Sequence, residues 1–236
     1  MEELKLIKGF PHKILATDEV GRGPLGGPVV AGAVGVYVED ALDFKHLLKS
    51  LKAFGVGDSK KINSSDRLGI LNKMGITDLS FRKTGSFSMK GIKIFFTTWD
   101  IDHVVIDEEN ILQASLRAMR EGAESISSHF SSMKKIPTTV LIDGPMKYRW
   151  GNKKSTWNEI PLVKGDSRSL LIGFASLIAK EKRDAFMKEM HEVYPQYGFN
   201  SHFGYPTKAH RLAIQTYGPC PIHRKTFKGV KEFLRD

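Results

Sequence analysis

The chain has 236 residues, of which 41% are hydrophobic and 26% are charged, a composition that excludes a disordered or fibrous protein and predicts one compact domain. Lysine and arginine outnumber aspartate and glutamate by 36 to 26. The resulting net charge of +10 favours a polyanionic partner, nucleic acid first, although a solvated basic face would give the same charge. The single cysteine, Cys220, excludes an intramolecular disulfide and a cysteine-rich zinc site.

Targeting and membrane signals are missing from the sequence. The N-terminal stretch MEELKLIKGFPHK has no apolar core of signal-peptide length, and no stretch approaches the roughly 18 to 20 apolar residues that span a bilayer. Because a single thiol also suits a reducing compartment, we expect a cytoplasmic protein.

The first half of the chain predicts strands and one helix. Residues 14–18, ILATD, predict a short buried strand, and after a glycine-rich turn the run GPVVAGAVGVYV predicts a second strand, so the chain opens with a hairpin. The segment GVGDSKKINSSDRLGILNKM begins as a polar loop and turns helical, with Ser64 or Ser65 as the N-cap. Residues 79–98 alternate in polarity and predict either two strands or one strand broken at Gly91.

The second half alternates helices with one more strand. DEENILQASLRAMREGAESISSHF gives the clearest amphipathic helix, and residues 138–144, TTVLIDG, predict another buried strand that ends in an acid. LVKGDSRSLLIGFASLIAKEKRDAFMKEM predicts a long helix. The tail contains one clear helix, PTKAHRLAIQTY, which begins near Pro206 or Thr207 and ends at Gly218. Strands followed by helices predict an α/β sheet.

Acidic residues stand where two predicted strands end, and α/β sheets bind ligands at such ends. These residues are Asp18 and Asp143. Glu19 follows Asp18, and adjacent residues on a regular strand face opposite ways, so both serve one site only if the strand ends or bulges between them. Asp166 precedes the long helix, either as a further acid of the site or simply as an N-cap. Four converging carboxylates would need a cation, and oxygen ligands suit Mg²⁺ or Mn²⁺ rather than zinc.

Other chemistries lack their sequence patterns. The histidines of the tail do not have the sequence spacing of zinc ligands. They are His202, His210 and His223. There is no G-x-S-x-G nucleophile elbow, and GRGPLGG has neither the Lys-Ser/Thr ending of a P-loop nor the dinucleotide-binding spacing. Capping or first-turn stabilisation of the amphipathic helix accounts for three further acids, Asp107, Glu108 and Glu109.

Six motifs, in order, resemble those of bacterial ribonuclease HII, and the resemblance runs from about residue 14 to residue 227. The motifs are DEVGRGPLGGPVVAGAV, GDSKKI, IDEENILQASLRAM, LIDG, KGDSRSLLIGFASLIAKEKRD, and the tail segments YGFNSHFGYPT with GPCPIHRKTF. The resemblance implies a ribonuclease H-like α/β fold, a mixed five-stranded sheet flanked by helices. It also implies one domain, with a core at about 13–192 and a helical, substrate-binding part at about 193–236.

The resemblance further implies roles for single residues, matched motif by motif. The catalytic and metal-binding acids are Asp18, Glu19, Asp143 and Asp166. The residues that would contact the ribonucleotide and its 2′-OH, the group that distinguishes RNA from DNA, are Gly21, Arg22 and Gly23. Tyr205 would stack on the deoxyribose beyond the junction. Positions near substrate phosphates are Ser59 and Lys60. We also expect basic residues to lie along the nucleic-acid backbone and contact its phosphates. These residues include Lys164, Arg224 and Lys225.

Two residues near Tyr205 depart from the family pattern. Phe203 stands where the family usually has lysine, and Pro206 stands where it usually has glycine. Because proline fixes φ and removes a donor, we expect the loop that presents Tyr205 to sit differently. These departures bear on junction preference more than on catalysis.

The sequence therefore predicts a two-metal endonuclease that uses Mg²⁺ or Mn²⁺. It would cut 5′ of a ribonucleotide in duplex DNA, or within an RNA/DNA hybrid, and leave a 3′-hydroxyl and a 5′-phosphate. The family likeness implies a monomer. Two alternatives remain open: a ribonuclease HIII-like enzyme that cuts only hybrids, and a non-catalytic nucleic-acid-binding protein on the same fold.

Overall fold

A mixed sheet of six strands runs through the structure, a computed structural model that describes residues 2–57, 62–151 and 155–234. The strands are β1 (His12–Val20), β2 (Val29–Val38), β3 (Gly85–Met89), β4 (Ile92–Ile101), β5 (Thr138–Asp143) and β6 (Asn158–Leu162). They lie in the order β3-β4-β2-β1-β5-β6. The first four pair antiparallel, whereas β5 runs parallel to both β1 and β6.

Helices cover both faces of this sheet. They are α1 (Glu3–Leu6), α2 (Ala41–Ala53), α3 (Ser64–Lys73), α4 (His103–Glu109), α5 (Ile111–Ser128), α6 (Gly165–Arg168), α7 (Leu170–Val193), α8 (Phe199–His202) and α9 (Lys208–Tyr217). Short 3-10 helices lie at Ser131–Met133, Pro195–Tyr197 and Lys231–Phe233. Apolar side chains of α2, α3 and α7 form one core against one face, and those of α5 form a second core against the other. Within the described ranges, no helix is both long and apolar enough to cross a membrane.

The tail has a small apolar core of its own, which packs on the second half of α7. Met187 of α7 meets Phe199, Ile214 and Val230 there, together with Leu25 from the loop that joins β1 to β2. The loop after β1 is thereby anchored in a core built mainly from the opposite end of the chain.

The sheet has six strands instead of the five that were expected. Residues 79–98 do contain two strands, because Lys90 and Gly91 both adopt positive φ, of 52° and 78°, and turn the chain in a tight hairpin. This turn adds β3 at one edge. At the other edge β6 was not predicted, because it contains Pro161, which a strand tolerates at the edge of a sheet.

The predicted amphipathic helix is in fact two helices. Asn110, at φ 72°, separates α4 from α5, and its side chain caps α5 by accepting hydrogen bonds from two backbone amides. The three acids expected at the start of that helix therefore lie in α4. Asp107 instead accepts hydrogen bonds from the backbone amides of Lys225 and Thr226, so it ties the tail to the body of the protein.

The observed caps of the other helices confirm some of the predicted helix ends and contradict others. The N-cap of α3 is Asn63 and not a serine. Its side-chain oxygen accepts a hydrogen bond from the backbone amide of Asp66. The long helix α7 is capped by Ser169, so Asp166 is not its cap. The predicted boundaries of α9 are confirmed, since Thr207 caps its start and Gly218 its end.

Candidate active site

Three acids converge at one edge of the sheet. Asp18, Glu19 and Asp143 each offer a carboxylate oxygen, and these oxygens lie within 4.8 Å of one another. Since β1 and β5 are parallel and Thr17 pairs with Ile142, the next residues along each strand fall side by side. Among the residues that the structure describes, no other set of three histidine, cysteine or acidic ligands comes so close together.

Asp18 and Glu19 share this site although β1 neither ends nor bulges between them, contrary to the expectation from their spacing. Strand β1 continues to Val20 in regular register with β2. Its pairing with β5, however, stops at Thr17, so the strand edge beyond that point is open. Side chains from both faces can reach around this open edge, and the Glu19 amide donates a 2.7 Å hydrogen bond to Oδ1 of Asp18.

Asp166 is brought beside this group by the backbone. The amide of the preceding residue, Gly165, donates a 2.6 Å hydrogen bond to Oδ1 of Asp143. A Cβ atom on Gly165 would come 2.6 Å from Cδ1 of Ile172 and 3.0 Å from Oδ1 of Asp143, so glycine lets the first turn of α6 approach both α7 and the end of β5. Asp166 is only 5% exposed, but its carboxylate is not one of the three that converge within 4.8 Å.

The acids carry unfavourable electrostatics in the absence of a cation. Burial raises the pKa of Asp18 well above its ordinary value, and the neighbouring charges of Glu19 and Asp143 raise it further. Burial also raises the pKa of Glu19 to about 7, although Arg22 opposes this effect. Glu19 Oε2 is buried and has no hydrogen-bond partner among the described residues. An all-oxygen group with an unpartnered carboxylate oxygen fits a hard divalent cation.

The glycine loop, residues 21–28, leads away from these acids. Nη1 of Arg22 lies 3.2 Å from Oε1 of Glu19, while half of the Arg22 side chain is exposed. A Cβ atom on Gly23 would lie 3.7 Å from Cε1 of Tyr205, whose ring is 38% exposed. The structure therefore brings the Gly-Arg-Gly motif and Tyr205 together beside the acids, despite Phe203 and Pro206.

The three tail histidines lie together beneath Tyr205 and bond to protein groups. His210 Nδ1 is 2.9 Å from the Tyr205 carbonyl oxygen, and its Nε2 is 3.0 Å from Nε2 of His223. His202 Nε2 lies 2.8 Å from the Tyr197 carbonyl oxygen. Burial lowers the pKa of both His210 and His223 to about 4, so this pair is neutral at pH 7 and supports the Tyr205 loop.

Arg224 does not follow the nucleic-acid backbone, and that prediction was wrong. Its side chain is completely buried and donates hydrogen bonds to backbone carbonyls of the glycine loop. A sequence does not show which carbonyls a cation will meet some 200 positions away. Lys164 and Lys225 are exposed, so their proposed roles stay predictions, whereas Ser59 and Lys60 lie outside the described residues.

Arg183 is a residue of this region that sequence reasoning missed. It lies on the buried side of α7 and donates hydrogen bonds to Gly26, Pro28 and Phe203 carbonyls. One signal could have found it, because Arg183 stands four residues after Ala179 and four before Met187, on the apolar face of the predicted helix.

Comparison with known proteins identifies a family from the sequence and a fold from solved structures. The family model for ribonuclease HII matches residues 15–230. A ribonuclease HII from Desulfotalea psychrophila is 39% identical over 221 residues, which cover 94% of this chain and 83% of that protein. The ribonuclease H2 of Pyrococcus horikoshii superposes with a TM-score of 0.61 at 21% identity, over 94% of this chain and 96% of that one. The Bst ribonuclease HIII solved in complex with Mn²⁺ gives 0.60 at 16% identity, over 94% and 69%.

A ribonuclease H-like sheet whose carboxylates converge where the pairing of the parallel strands β1 and β5 stops defines a metal-dependent nuclease of the ribonuclease H class. Within that class, the match over nearly the whole chain is decisive. The chain belongs to the ribonuclease HII family.

Proposed function

We propose that the protein removes ribonucleotides from DNA by hydrolysing the phosphodiester bond on the 5′ side of a single ribonucleotide in a duplex, and that it also cuts the RNA strand of RNA/DNA hybrids. The products would carry a 3′-hydroxyl and a 5′-phosphate. One observation carries the proposal: the Gly-Arg-Gly motif contacts the carboxylate group through Arg22 and Glu19 and lies beside the Tyr205 ring, which a Cβ atom on Gly23 would meet at 3.7 Å.

The carboxylates would hold divalent metal ions, Mg²⁺ or Mn²⁺. The ligands would be Asp18, Glu19, Asp143 and Asp166. Two such ions, when bound, activate a water molecule and stabilise the leaving oxygen. The unpartnered Glu19 oxygen supports this assignment, as does the Mn²⁺ complex of the similar ribonuclease HIII.

The ribose would be recognised by the loop and the ring together. A 2′-OH is accessible from the wide, shallow minor groove, and Gly23 presents backbone without a side chain there. The Tyr205 ring, partly exposed beside Gly23, would stack on the adjoining sugar. Exposed lysines such as Lys164 and Lys225 would contact phosphates, and we place this activity in the cytoplasm, by a monomer.

A hybrid-only activity is the second candidate, because Phe203 and Pro206 flank Tyr205 where the family usually has lysine and glycine. The non-catalytic alternative is set aside, since the chain belongs to a family of metal-dependent ribonucleases. The two remaining candidates differ in a single substrate, the DNA duplex that carries one ribonucleotide.

The test is cleavage of end-labelled duplexes that carry one ribonucleotide, a full RNA strand or no ribonucleotide, with Mg²⁺, with Mn²⁺ and with a chelator. We expect a metal-dependent cut 5′ of the single ribonucleotide and no cut in all-DNA duplex. Cleavage of the hybrid alone would contradict the proposal and favour the second candidate.

Asp143→Asn is the matched inactive variant, because an asparagine oxygen can still accept the Gly165 amide. We expect duplex binding to persist while cleavage falls by roughly 10²- to 10³-fold, the usual cost of losing one group that stabilises developing charge. A variant that cuts at the wild-type rate would remove Asp143 from the proposed metal site. Gel assays of binding and cleavage on the same duplex give both quantities.

A further inference from the structure

Two buried arginines, Arg183 and Arg224, lie beneath the glycine loop without an acid. Both side chains are fully buried, and within the described ranges neither forms an ion pair with a carboxylate. Arg67, the other buried arginine, is paired with Glu181 and Asp184 at 3.1 and 2.8 Å. Burying a cation without a counter-charge is costly, so hydrogen bonds from each guanidinium must offset that cost.

The guanidinium N–H groups of Arg224 all donate to the backbone of the glycine loop. Its guanidinium donates hydrogen bonds of 2.6 to 3.0 Å to the carbonyl oxygens of Gly21, Arg22, Pro24 and Gly27. Its own amide donates to the Leu25 carbonyl at 2.8 Å. Four of the eight carbonyls of the loop therefore point inward, toward a single side chain.

Arg183 joins the same loop to the Tyr205 segment. It donates to the carbonyls of Gly26 at 3.1 Å and Pro28 at 3.0 Å, and to the Phe203 carbonyl at 2.9 Å. The Leu25 amide also donates to the Gly204 carbonyl at 2.8 Å. The two segments thus form one hydrogen-bonded unit.

The orientation of the carbonyls fixes the orientation of the amides. In a trans peptide the C=O and the N–H point in opposite directions, so the inward carbonyls of Gly21 and Arg22 turn the amides of Arg22 and Gly23 outward. Neither amide has a hydrogen-bond partner among the described residues. A carbonyl that accepts from a guanidinium also polarises its peptide, which strengthens the outward donor.

Both arginines stay charged at neutral pH. Burial lowers the pKa of Arg183 to about 10, and burial together with repulsion from Arg183 lowers the pKa of Arg224 to about 9. Two positive charges therefore lie directly beneath a surface with two free amide donors. Such a surface is suited to a polyanion that carries hydroxyl groups.

We propose that Arg183 and Arg224 are positioning residues for ribonucleotide recognition, which aim the amides of Arg22 and Gly23 at the substrate and hold them in fixed register with the Tyr205 ring. The hydroxyl of the ribose and the adjoining sugar are then recognised as a pair. This inference rests on the proposed function, since it supplies the support for the surface that would read the 2′-OH.

The test uses Arg183→Lys and Arg224→Lys, each of which keeps the charge but loses the planar fork of donors. Each is made alone for cleavage and again with Asp143→Asn for binding. Binding is measured by fluorescence anisotropy on matched duplexes with one ribonucleotide and with none.

We expect the preference for the ribonucleotide to fall toward unity and cleavage of the single-ribonucleotide duplex to fall by about 10²-fold, the effect of a misplacement near 1 Å. Affinity for all-DNA duplex and the Mg²⁺-induced rise in Tm should not change.

Phe44→Ala is the control for lost stability. Phe44 is fully buried in α2 and its ring faces Phe10, near the end of β1 that is opposite the acids. This variant should lower Tm without lowering the ribonucleotide preference. An equal loss of preference in Phe44→Ala, a full preference in both lysine variants, or a failure of both lysine variants to fold would each overturn the proposal. If the wild-type protein itself shows no preference for the ribonucleotide duplex, the proposed function fails instead.

Discussion

At the scale of single residues, the two glycines of the Gly-Arg-Gly motif differ in whether the fold leaves room for a side chain. Gly21 adopts φ +93°, and a Cβ atom there would overlap Nε of Arg183 and come 2.9 Å from the Pro28 carbonyl oxygen. At Gly23 a Cβ atom would meet only the Tyr205 ring, at an ordinary contact distance of 3.7 Å. The fold requires the first glycine, whereas no contact among the described residues requires the second.

Alanine substitutions should therefore separate folding from recognition. Gly21→Ala should lower the free energy of unfolding by about 1–3 kcal/mol through backbone strain and overlap with Arg183. Gly23→Ala should melt close to the wild-type temperature but cut the single-ribonucleotide duplex poorly. Thermal denaturation and cleavage of that duplex check both expectations. Full activity in Gly23→Ala would mean that the substrate does not approach this backbone.

Glu19 should make the metal-free protein less stable as the pH rises. Its pKa of about 7 in the folded protein is above its ordinary value of 4.5, so between these pH values the folded state binds more protons than the unfolded chain. Stability therefore falls as the pH rises through this window. His210 and His223, whose pKa values are lowered to about 4, have the opposite effect.

The comparison of wild-type protein with Glu19→Gln isolates this contribution. With a chelator present, the Tm of the wild type relative to the variant should decline from pH 4.5 to pH 7. Mg²⁺ should raise the wild-type Tm most at the upper end, because the ion binds the ionised carboxylate. A Tm difference that is flat with pH would show that Glu19 titrates at an ordinary value.

At the scale of secondary-structure elements, the sequence predicted best what local chemistry decides. Strands β1, β2 and β5 and helix α9 followed from apolar runs and from end signals such as Thr207 and Gly218. The meeting of Asp18 with Asp143 followed from strand ends. Each of these strands and the helix is determined by residues within a few positions of one another, and the two acids meet because each follows such a strand.

Elements that depend on distant partners were beyond the sequence. Strand β6 needs β5 as its neighbour, and it contains Pro161, a residue type that has a low propensity for strands. Arg224 was assigned to the surface because only the folded chain brings it under Gly21 and Gly27. The spacing of Asp18 and Glu19 suggested a break in β1, whereas the structure uses the end of the β1–β5 pairing.

The junction between α4 and α5 offers a test at this scale. Asn110 has φ 72° and ψ 159°, a region that is essentially restricted to glycine, yet its side chain caps α5. Asn110→Ala should lose the cap and keep the strain, at a cost of about 1–3 kcal/mol. Asn110→Gly should be nearly neutral, because glycine relieves the strain and caps almost as well. Urea denaturation of both variants measures the difference, and equal stabilities would contradict it.

At the scale of the whole molecule, the net charge of +10 and the surface that we propose to recognise the ribose should act separately. Phosphate contacts release counterions, so affinity for any duplex should fall steeply with salt. Amide donors to a neutral hydroxyl release none. The ratio of affinities for ribonucleotide-containing and all-DNA duplexes should therefore stay constant as NaCl is raised, measured with Asp143→Asn. A ratio that declines with salt would assign the discrimination to charge.

The tie between the glycine loop and the tail also has a consequence for the order of assembly during synthesis. The carbonyls of Gly21, Arg22, Pro24 and Gly27 receive their hydrogen bonds from Arg224, about 200 positions later in the chain, whereas all four acids have been made once Asp166 is reached. Domains tend to fold from the N-terminus as they are made. A nascent or truncated chain can therefore gather its carboxylates before it has the supports of the loop. Under the proposed function, the ability to tell ribose from deoxyribose would be the last property that the growing chain acquires.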